Sequence, residues 1–296
     1  MSFPVVDGLR SIEFGTPGES RGRLINFVVN GHKRATAGLL SDYDREGEPV
    51  EYVGECLAMT GNDGSHVATL MVTRVVITRF GNVPDEFALA EAEGDLTAAD
   101  FRASHSEYWT RAGETITDDT AIVQVYFDLL SHRLRALQAS DAEWIDRACQ
   151  DAEIQRWTTV PRPYTQAHAE SFIRDKAGEL TAFAIVHAAS NEPVGVAGVH
   201  HIRDGVATIG YWVAPWGRGH GAATAAIRIL ATHMPRLGDA VTLRAVIADT
   251  NAASRAAATR AGMTMGAPIA EQCPDGDQLT TGVAYELALL ASRSAN

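Results

Sequence analysis

Three glycines at alternate positions, Gly217, Gly219 and Gly221, stand between an alternating apolar stretch and an alanine-rich one in IGYWVAPWGRGHGAATAAIRILATHM, residues 209–234. Glycine admits backbone angles closed to other residues, so successive N–H groups can turn onto one ligand, and a helix starting there adds its partial positive charge. The combination predicts an anion site, and a pyrophosphate is the guest it fits. A dinucleotide fold would need GxGxxG with an acidic residue about 20 positions on, and a triphosphate loop would need GK followed by Ser or Thr. Neither pattern is present. A second residue type stands out by scarcity: of 25 basic residues only Lys33 and Lys176 are lysines. An amine can be deprotonated when desolvated or crowded, whereas a guanidinium cannot. Lys33 therefore marks either a proton-handling position or ordinary drift at the surface.

The elements that must position these groups are legible around them. Ala207, Ile209, Tyr211 and Val213 alternate with Thr208, Gly210 and Trp212, which predicts a strand with two distinct faces. Beyond the loop, Ala222, Ala223, Ala226, Ile227, Leu230 and Met234 recur at helical spacing, and Pro235 is expected to stop the run. Residues 241–247 read as a second strand, followed by a short helix capped by Asn251 and closed at Gly262. Upstream, the pattern predicts a strand from Arg133, a helix through Cys149 capped by Asp141, a helix from His168 to Lys176, and a hairpin of residues 181–187 and 193–201 turning at Ser190-Asn191. In the first half, residues 19–30 predict a helix that breaks at Asn30-Gly31. Residues 55–60 and 67–80 predict strands joined across the GNDG of residues 61–64. Residues 80–95 read as helical in part, Thr97 as the cap of a helix through Tyr108 with Asp100 in the box position, and residues 120–130 as a strand.

The segment WGRGHGAA, residues 216–223, followed by NAASRAAATRAGM, residues 251–263, resembles two hallmarks of the GNAT acetyltransferases in their usual order. The first is the acetyl-CoA loop, Gln or Arg, two residues, Gly, one residue, then Gly or Ala; Gly219 and Gly221 match, and Trp216 stands where the pattern opens. The resemblance implies an α/β (α+β) domain over residues 132–296 with a mixed, mostly antiparallel sheet flanked by helices, acetyl-CoA as co-substrate and no metal. It implies cofactor contacts from Val213, Gly217, Arg218, Gly219, His220, Gly221, Ala222, Ala223, Asn251 and Ser254. EIQRWTTVPRPYT, residues 153–165, resembles the acceptor-side segment of the branch that acetylates ribosomal-protein N-termini, where Trp157 and Tyr164 would wall an acceptor pocket or else sit in the core. Acetyl transfer needs a base to take a proton from an ammonium and a donor for the departing thiolate. In this family a backbone N–H near Val213 polarises the thioester carbonyl. Ser254 is the candidate proton donor, with helix capping as its other role. Glu271 is the candidate base, with His200 and His201 as alternatives.

GHKRAT, residues 31–36, with AEAEG, residues 90–94, and FRASHSEYW, residues 101–109, resembles the ASCH domain, a small β-barrel related to RNA-binding PUA domains. The resemblance covers roughly residues 20–130 and sets a first domain over residues 1–131. Some members hydrolyse N4-acetylcytidine through a Lys, a Thr and a Glu, which here are Lys33, Thr36 and Glu93. The amine would activate the Thr hydroxyl and the carboxylate would carry a proton to the leaving amine. The same three residues could instead line a pocket that binds a nucleoside or RNA.

Composition bounds these readings. A chain of 296 residues, 46% hydrophobic, predicts two domains. There is no apolar run of 18 residues and no leader pattern, so neither a membrane span nor a secretory signal is expected. Cys56, Cys149 and Cys273 are odd in number and lack metal-ligand spacing, which suits a reducing cytoplasm. Residues 1–131 carry 10 basic against 21 acidic residues, and residues 132–296 carry 15 against 16. So acidic a first half repels a phosphate backbone at long range, so sequence-blind nucleic-acid binding is not expected there, while a single small nucleotide is compatible with it. Two function classes follow: an acetyl-CoA-dependent enzyme acting on a small-molecule or peptide amine, and a non-catalytic acetyl-CoA sensor.

Overall fold

The computed structural model describes residues 4–175, 179–237 and 239–289. The chain divides at Leu130/Ser131 into two compact units. In the first, β1 (Val5–Val6), β2 (Leu9–Ile12), β4 (Cys56–Thr60), β5 (His66–Arg79), β6 (Ala121–Leu130) and β3 (Ala35–Leu39) form one sheet in that order. Four helices accompany it: α1 (Glu19–Val29), α2 (Leu40–Glu46), α3 (Asp85–Glu91) and α4 (Ala98–Arg111). The β4–β5 hairpin closes with Gly61 N–H on Ser65 O (2.9 Å) and Gly64 at φ +75°, the left-handed angle that glycine permits there. The box at the head of α4 is complete, with Asp100 N–H on Thr97 Oγ1 and Thr97 N–H on Asp100 Oδ2. Helix α3 and strand β3 share a core of Ala35, Leu39, Phe87, Ala88 and Phe101. Ala92 follows α3 in the left-handed region (φ +53°), and that sharp exit brings Glu91 and Glu93, either side of it, back toward the start of β3.

In the second unit the sheet order is β12 (Thr264–Asp275), β13 (Gln278–Ala288), β11 (Thr242–Ala248), β10 (Val206–Val213), β9 (Pro193–Arg203), β8 (Thr181–His187), β7 (His132–Ala136). Every neighbouring pair is antiparallel except β10–β11. The helices are α5 (Ala142–Cys149), α6 (Ala152–Trp157), α7 (Gln166–Asp175), α8 (Ala222–Leu237) and α9 (Ala252–Arg260). Alternation along β10 decides what covers each face. Trp212 faces the cluster of Trp144, Ile145, Ala148 and Ala169 from α5 and α7, while Tyr211 points the other way and meets Ser254 of α9.

Two expectations are corrected. Asp141 makes no capping bond to α5. Its carboxylate accepts from Arg135 Nη1 and Nη2 (2.8 Å each), Trp144 Nε1 (2.7 Å) and Gln138 N–H (2.7 Å), so it is a buried polar hub that the sequence pattern could not distinguish from a cap. Helix α8 runs two residues past Pro235, because a proline in a last turn costs one backbone bond in a helix that is already well packed. Helix α7 is described as far as Asp175, and the expected end at Lys176 lies outside the described residues.

Candidate functional site

Strands β10 and β11 pair only from Val206↔Thr242 to Ile209↔Ala245. Beyond that point residues 210–213 bond only to β9 and residues 246–248 only to β13, so the two strands part into a wedge. Ala214 N–H bonds to Val194 O (2.8 Å) on β9, so strand alternation turns the N–H groups of Val213 and Tyr211 toward the open side.

The glycine loop caps the wide end of this wedge. Gly217 approaches β9 so closely that a Cβ would overlap Val194 Cβ, and its N–H bonds to Ala214 O (2.9 Å). Gly219 and Gly221 both stand at φ +82°. The first bond into α8 is Ala225 N–H to Gly221 O (2.9 Å), so the N–H groups of residues 219–224 have no protein acceptor among the described residues. Six orphaned donors at a helix start form a field of partial positive charge, which fits a diphosphate. Arg218 does not face this cradle freely: its Nε donates to Val213 O (3.2 Å) and its guanidinium pairs with Asp151. His220 O accepts from Ser131 Oγ (3.4 Å), which anchors the loop to the start of β7. Trp216 turns inward, its Nε1 on Pro193 O (3.0 Å) and its ring under Arg147 (4.1 Å).

On the α9 side, Asn251 caps the helix by accepting Ser254 N–H (3.0 Å). That frees Ser254 Oγ, which lies 2.8 Å from Tyr211 Oη. Burial pushes the Tyr211 phenol up to about 12, the Ser254 bond working against it, so Tyr211 stays a neutral phenol that can donate to Ser254 Oγ or to Ser254 O (3.3 Å). Sequence pattern marks Tyr211 only as a strand residue, and its alternation with Gly210 is the signal that it faces α9.

On the opposite face, Glu179 and His200 lie across β9 and β10, with Glu179 Oε1 3.5 Å from His200 Nδ1. Burial raises the Glu179 carboxyl to about 7 and lowers His200, which His201 depresses further and Glu271 opposes. Glu271 sits in the irregular stretch of β12 between Ile269 and Gln272, exposed, within electrostatic reach of His200 and Cys273, and makes no hydrogen bond among the described residues. Glu179 escapes sequence reasoning because a lone Glu before a strand carries no signal. Residues 158–162 and the β12–β13 turn line an open depression of about 300 Å³ formed by Thr158, Thr159, Val160, Arg162, Asp277 and Leu279. It is clamped by Arg156–Asp275 (2.7 Å) and Arg162–Asp277 (3.0 Å). Tyr164 does not wall it: the ring is 7% exposed in the core with Ala169 and Cys149, and Trp157 is half-buried with its Nε1 on Glu153.

In the first unit Lys33 is 1% exposed, with Nζ 2.5 Å from Glu93 Oε1, 3.8 Å from Glu91 Oε1 and 5.6 Å from the centre of the Phe14 ring. Burial pushes the Glu91 carboxyl up to about 8, against the pull of Lys33. Its Oε2 lies 3.3 Å from His105 Nε2, and that imidazole stacks on Phe101 with centroids 3.9 Å apart. Thr36 lies on β3 on the face opposite Ala35 and Ala37, and no hydrogen bond joins it to Lys33 or Glu93 among the described residues. Lys33 and Glu93 are thus brought together, with Glu91 and His105 as partners that periodicity alone did not single out. No group of three or more His, Cys, Asp or Glu among the described residues is placed to hold a metal.

Residues 132–264 match the family model of the GNAT acetyltransferase domain, and residues 10–131 match that of the ASCH domain. Among solved structures, the chain is similar to RimL, a ribosomal-protein α-N-acetyltransferase in complex with coenzyme A (23% identity over 54% of this chain and 94% of that one, TM-score 0.47). It is similar also to the microcin C7 self-immunity acetyltransferase MccE in complex with acetyl-CoA and AMP (19% identity, 53% and 92%, TM-score 0.47). Its first unit is similar to an ASCH domain from Lactobacillus crispatus (24% identity, 41% and 80%, TM-score 0.37). No curated protein matches the chain.

Proposed function

From a chain that carries an ASCH domain over residues 10–131 and a GNAT acetyltransferase domain over residues 132–264, we propose an acetyl-CoA-dependent N-acetyltransferase whose ASCH unit handles a nucleoside. The observation that carries the first part is the row of unpaired amides over residues 219–224 at the wide end of the β10–β11 wedge. Gly217, Gly219 and Gly221 shape the cradle, and the N–H groups of His220, Ala222 and Ala223, with Arg218 at its edge, complete it around the diphosphate. Bound acetyl-CoA supplies an activated acetyl thioester. The Val213 N–H, aimed into the wedge, polarises its carbonyl, Asn251 fixes the start of α9, and Ser254, backed by Tyr211, protonates the leaving sulfur. Glu271, exposed on β12 near His200, is available to draw the acceptor's charge. The acceptor is a small-molecule or peptide amine entering beside the depression between residues 158–162 and the β12–β13 turn. Three buried cysteines without disulfides suit work in a reducing cytoplasm, and no described helix is long and apolar enough to cross a membrane.

Calorimetry with coenzyme A, followed by transfer assays on an amine panel, tests this reading. Micromolar association with turnover of at least one amine is the expected result; association without turnover of any amine leaves an acetyl-CoA sensor instead. For the ASCH unit, the Lys33–Glu93 pair supports either binding or hydrolysis of an N-acetylated nucleoside, with Thr36 as nucleophile in the second case. Full-length protein incubated with N4-acetylcytidine should release cytidine, and Lys33→Ala should release none. Binding without release assigns the unit to recognition.

A further inference from the structure

We infer that Glu179, seated with His200 on two facing glycines at the vertex of the strand wedge, is the base that takes the proton from the acceptor amine. This rests on the acetyl-transfer reading. Gly198 and Gly210 are cross-strand partners on β9 and β10. A Cβ at Gly198 would overlap Glu179 Oε2 and lie 2.7 Å from Thr181 O, and a Cβ at Gly210 would overlap the His200 ring. Any other residue at either position would expel the carboxylate or the imidazole, so the two glycines make a bare floor and Glu179 and His200 occupy it. His200 reaches that floor because it is the extra residue of a bulge: Thr208 pairs with His201 and Ile209 with Val199, leaving His200 outside the ladder.

The floor lies where the reaction must occur. Ile209↔Ala245 is the last β10–β11 pair, so Gly210 is the first residue of the open wedge. An arm held by the diphosphate cradle at the wide end can run no deeper than this vertex. One strand spacing, about 4.8 Å, separates Gly210 from Gly198 and the carboxylate above it. Ser254 and Tyr211 meet on the other face of the same strand. Base and acid therefore flank β10, so the amine approaches from the α5–α7 face and the sulfur is protonated from the α9 face.

One carboxylate oxygen faces His200, and the other, Oε2, is buried with no hydrogen-bond partner among the described residues. An orphaned buried oxygen is poorly satisfied until a donor arrives, and an ammonium entering over the floor is such a donor. Burial holds this carboxyl near 7, where it can take a proton and release it to water at neutral pH. The titratable groups around it are His200 on β9, next to it His201, and Glu271 acting on His200 from β12. The step balances from the ammonium: one N–H proton passes to Glu179, the freed nitrogen bonds the acetyl carbon, the C–S bond breaks, the sulfur takes the Ser254 hydroxyl proton, which Tyr211 replaces, and the second N–H proton is lost to water. The products are an N-acetyl amine and a thiol. Water then re-equilibrates Glu179 and Tyr211.

The test compares full-length wild type with Glu179→Gln and Glu179→Ala. Coenzyme A affinity is measured by calorimetry, and transfer to an N-terminal serine peptide, spermidine and kanamycin is followed from roughly pH 6 to pH 9. Without any ligand, infrared spectroscopy follows the carboxylic-acid C=O band across the same range, with Glu91→Gln added to both proteins so that the other raised carboxyl is silent. Glu179→Gln should bind coenzyme A as wild type does, lose roughly 10²- to 10⁴-fold in transfer, lose the acid limb of the kcat/KM profile near pH 7, and lack a carboxyl band that titrates there. Formate should restore part of the Glu179→Ala rate. A Glu179→Gln protein with wild-type rate and profile, or with the band still present, overturns the assignment of the base while acetyl transfer stands. A wild type that gives no heat with coenzyme A overturns both.

Discussion

Gly221→Ala probes the cradle most directly. Gly221 stands at φ +82° with open space where a side chain would begin, so an added Cβ meets no neighbour within 4 Å and the whole cost is backbone strain. A non-glycine residue held left-handed costs about 1–2 kcal/mol. In a unit of this size that lowers Tm by about 2–4 °C for each kcal/mol. The chain can escape the strain only by turning the peptide, which swings at least one amide off the diphosphate. A hydrogen bond to a charged group is worth about 1.5–3 kcal/mol, so coenzyme A affinity falls roughly 10- to 100-fold. Gly262→Ala is the matched control: it too is left-handed (φ +97°), with open space around it, in the same unit but at the far end of α9. Scanning calorimetry should show both variants losing about 2–8 °C, and titration calorimetry should show only Gly221→Ala losing affinity. Wild-type affinity in Gly221→Ala, or an equal loss in Gly262→Ala, would refute the amide cradle.

Three further outcomes follow from particular contacts. Ser254→Ala removes the partner of Tyr211 Oη and should lower kcat about 10- to 100-fold with little change in coenzyme A affinity, since Asn251 still caps α9 through the Ser254 backbone; stopped assays at saturating acetyl-CoA read it, and an unchanged kcat removes Ser254 from the chemistry. Asp141→Ala strands the buried Trp144 N–H and takes the carboxylate from the Arg135 guanidinium, and should destabilise the second unit by about 3–5 kcal/mol, measured by urea unfolding; a loss under about 1 kcal/mol contradicts the hub. The Glu91 carboxyl is raised from 4.5 to about 8, so the folded state holds a proton that the unfolded state releases. Stability of the first unit should therefore fall as pH rises from 4.5 to about 8, and Glu91→Gln should flatten that slope; identical slopes for the two proteins exclude the buried carboxyl as its source.

Some of this chemistry can be read before any fold is known, because it depends on residues near in sequence. The left-handed glycines, the helix after them, the Asn251 cap and the Thr97–Asp100 box all act over three or four positions, and local backbone sterics and capping dictate them. The pairing of Lys33 with Glu93 is visible only as a resemblance, since the left-handed turn at Ala92 that swings Glu93 back carries no glycine to announce it. What the tertiary structure alone decided lies across strands. The wedge depends on where β10 and β11 stop pairing, a matter of register between segments more than 30 residues apart. The bulge that turns His200 onto Gly210, the Gly198 floor under Glu179 and the meeting of Tyr211 with Ser254 are likewise products of sheet assembly. A one-residue slip in any of those ladders would send the same side chains to the opposite face, and no local pattern records which face was chosen.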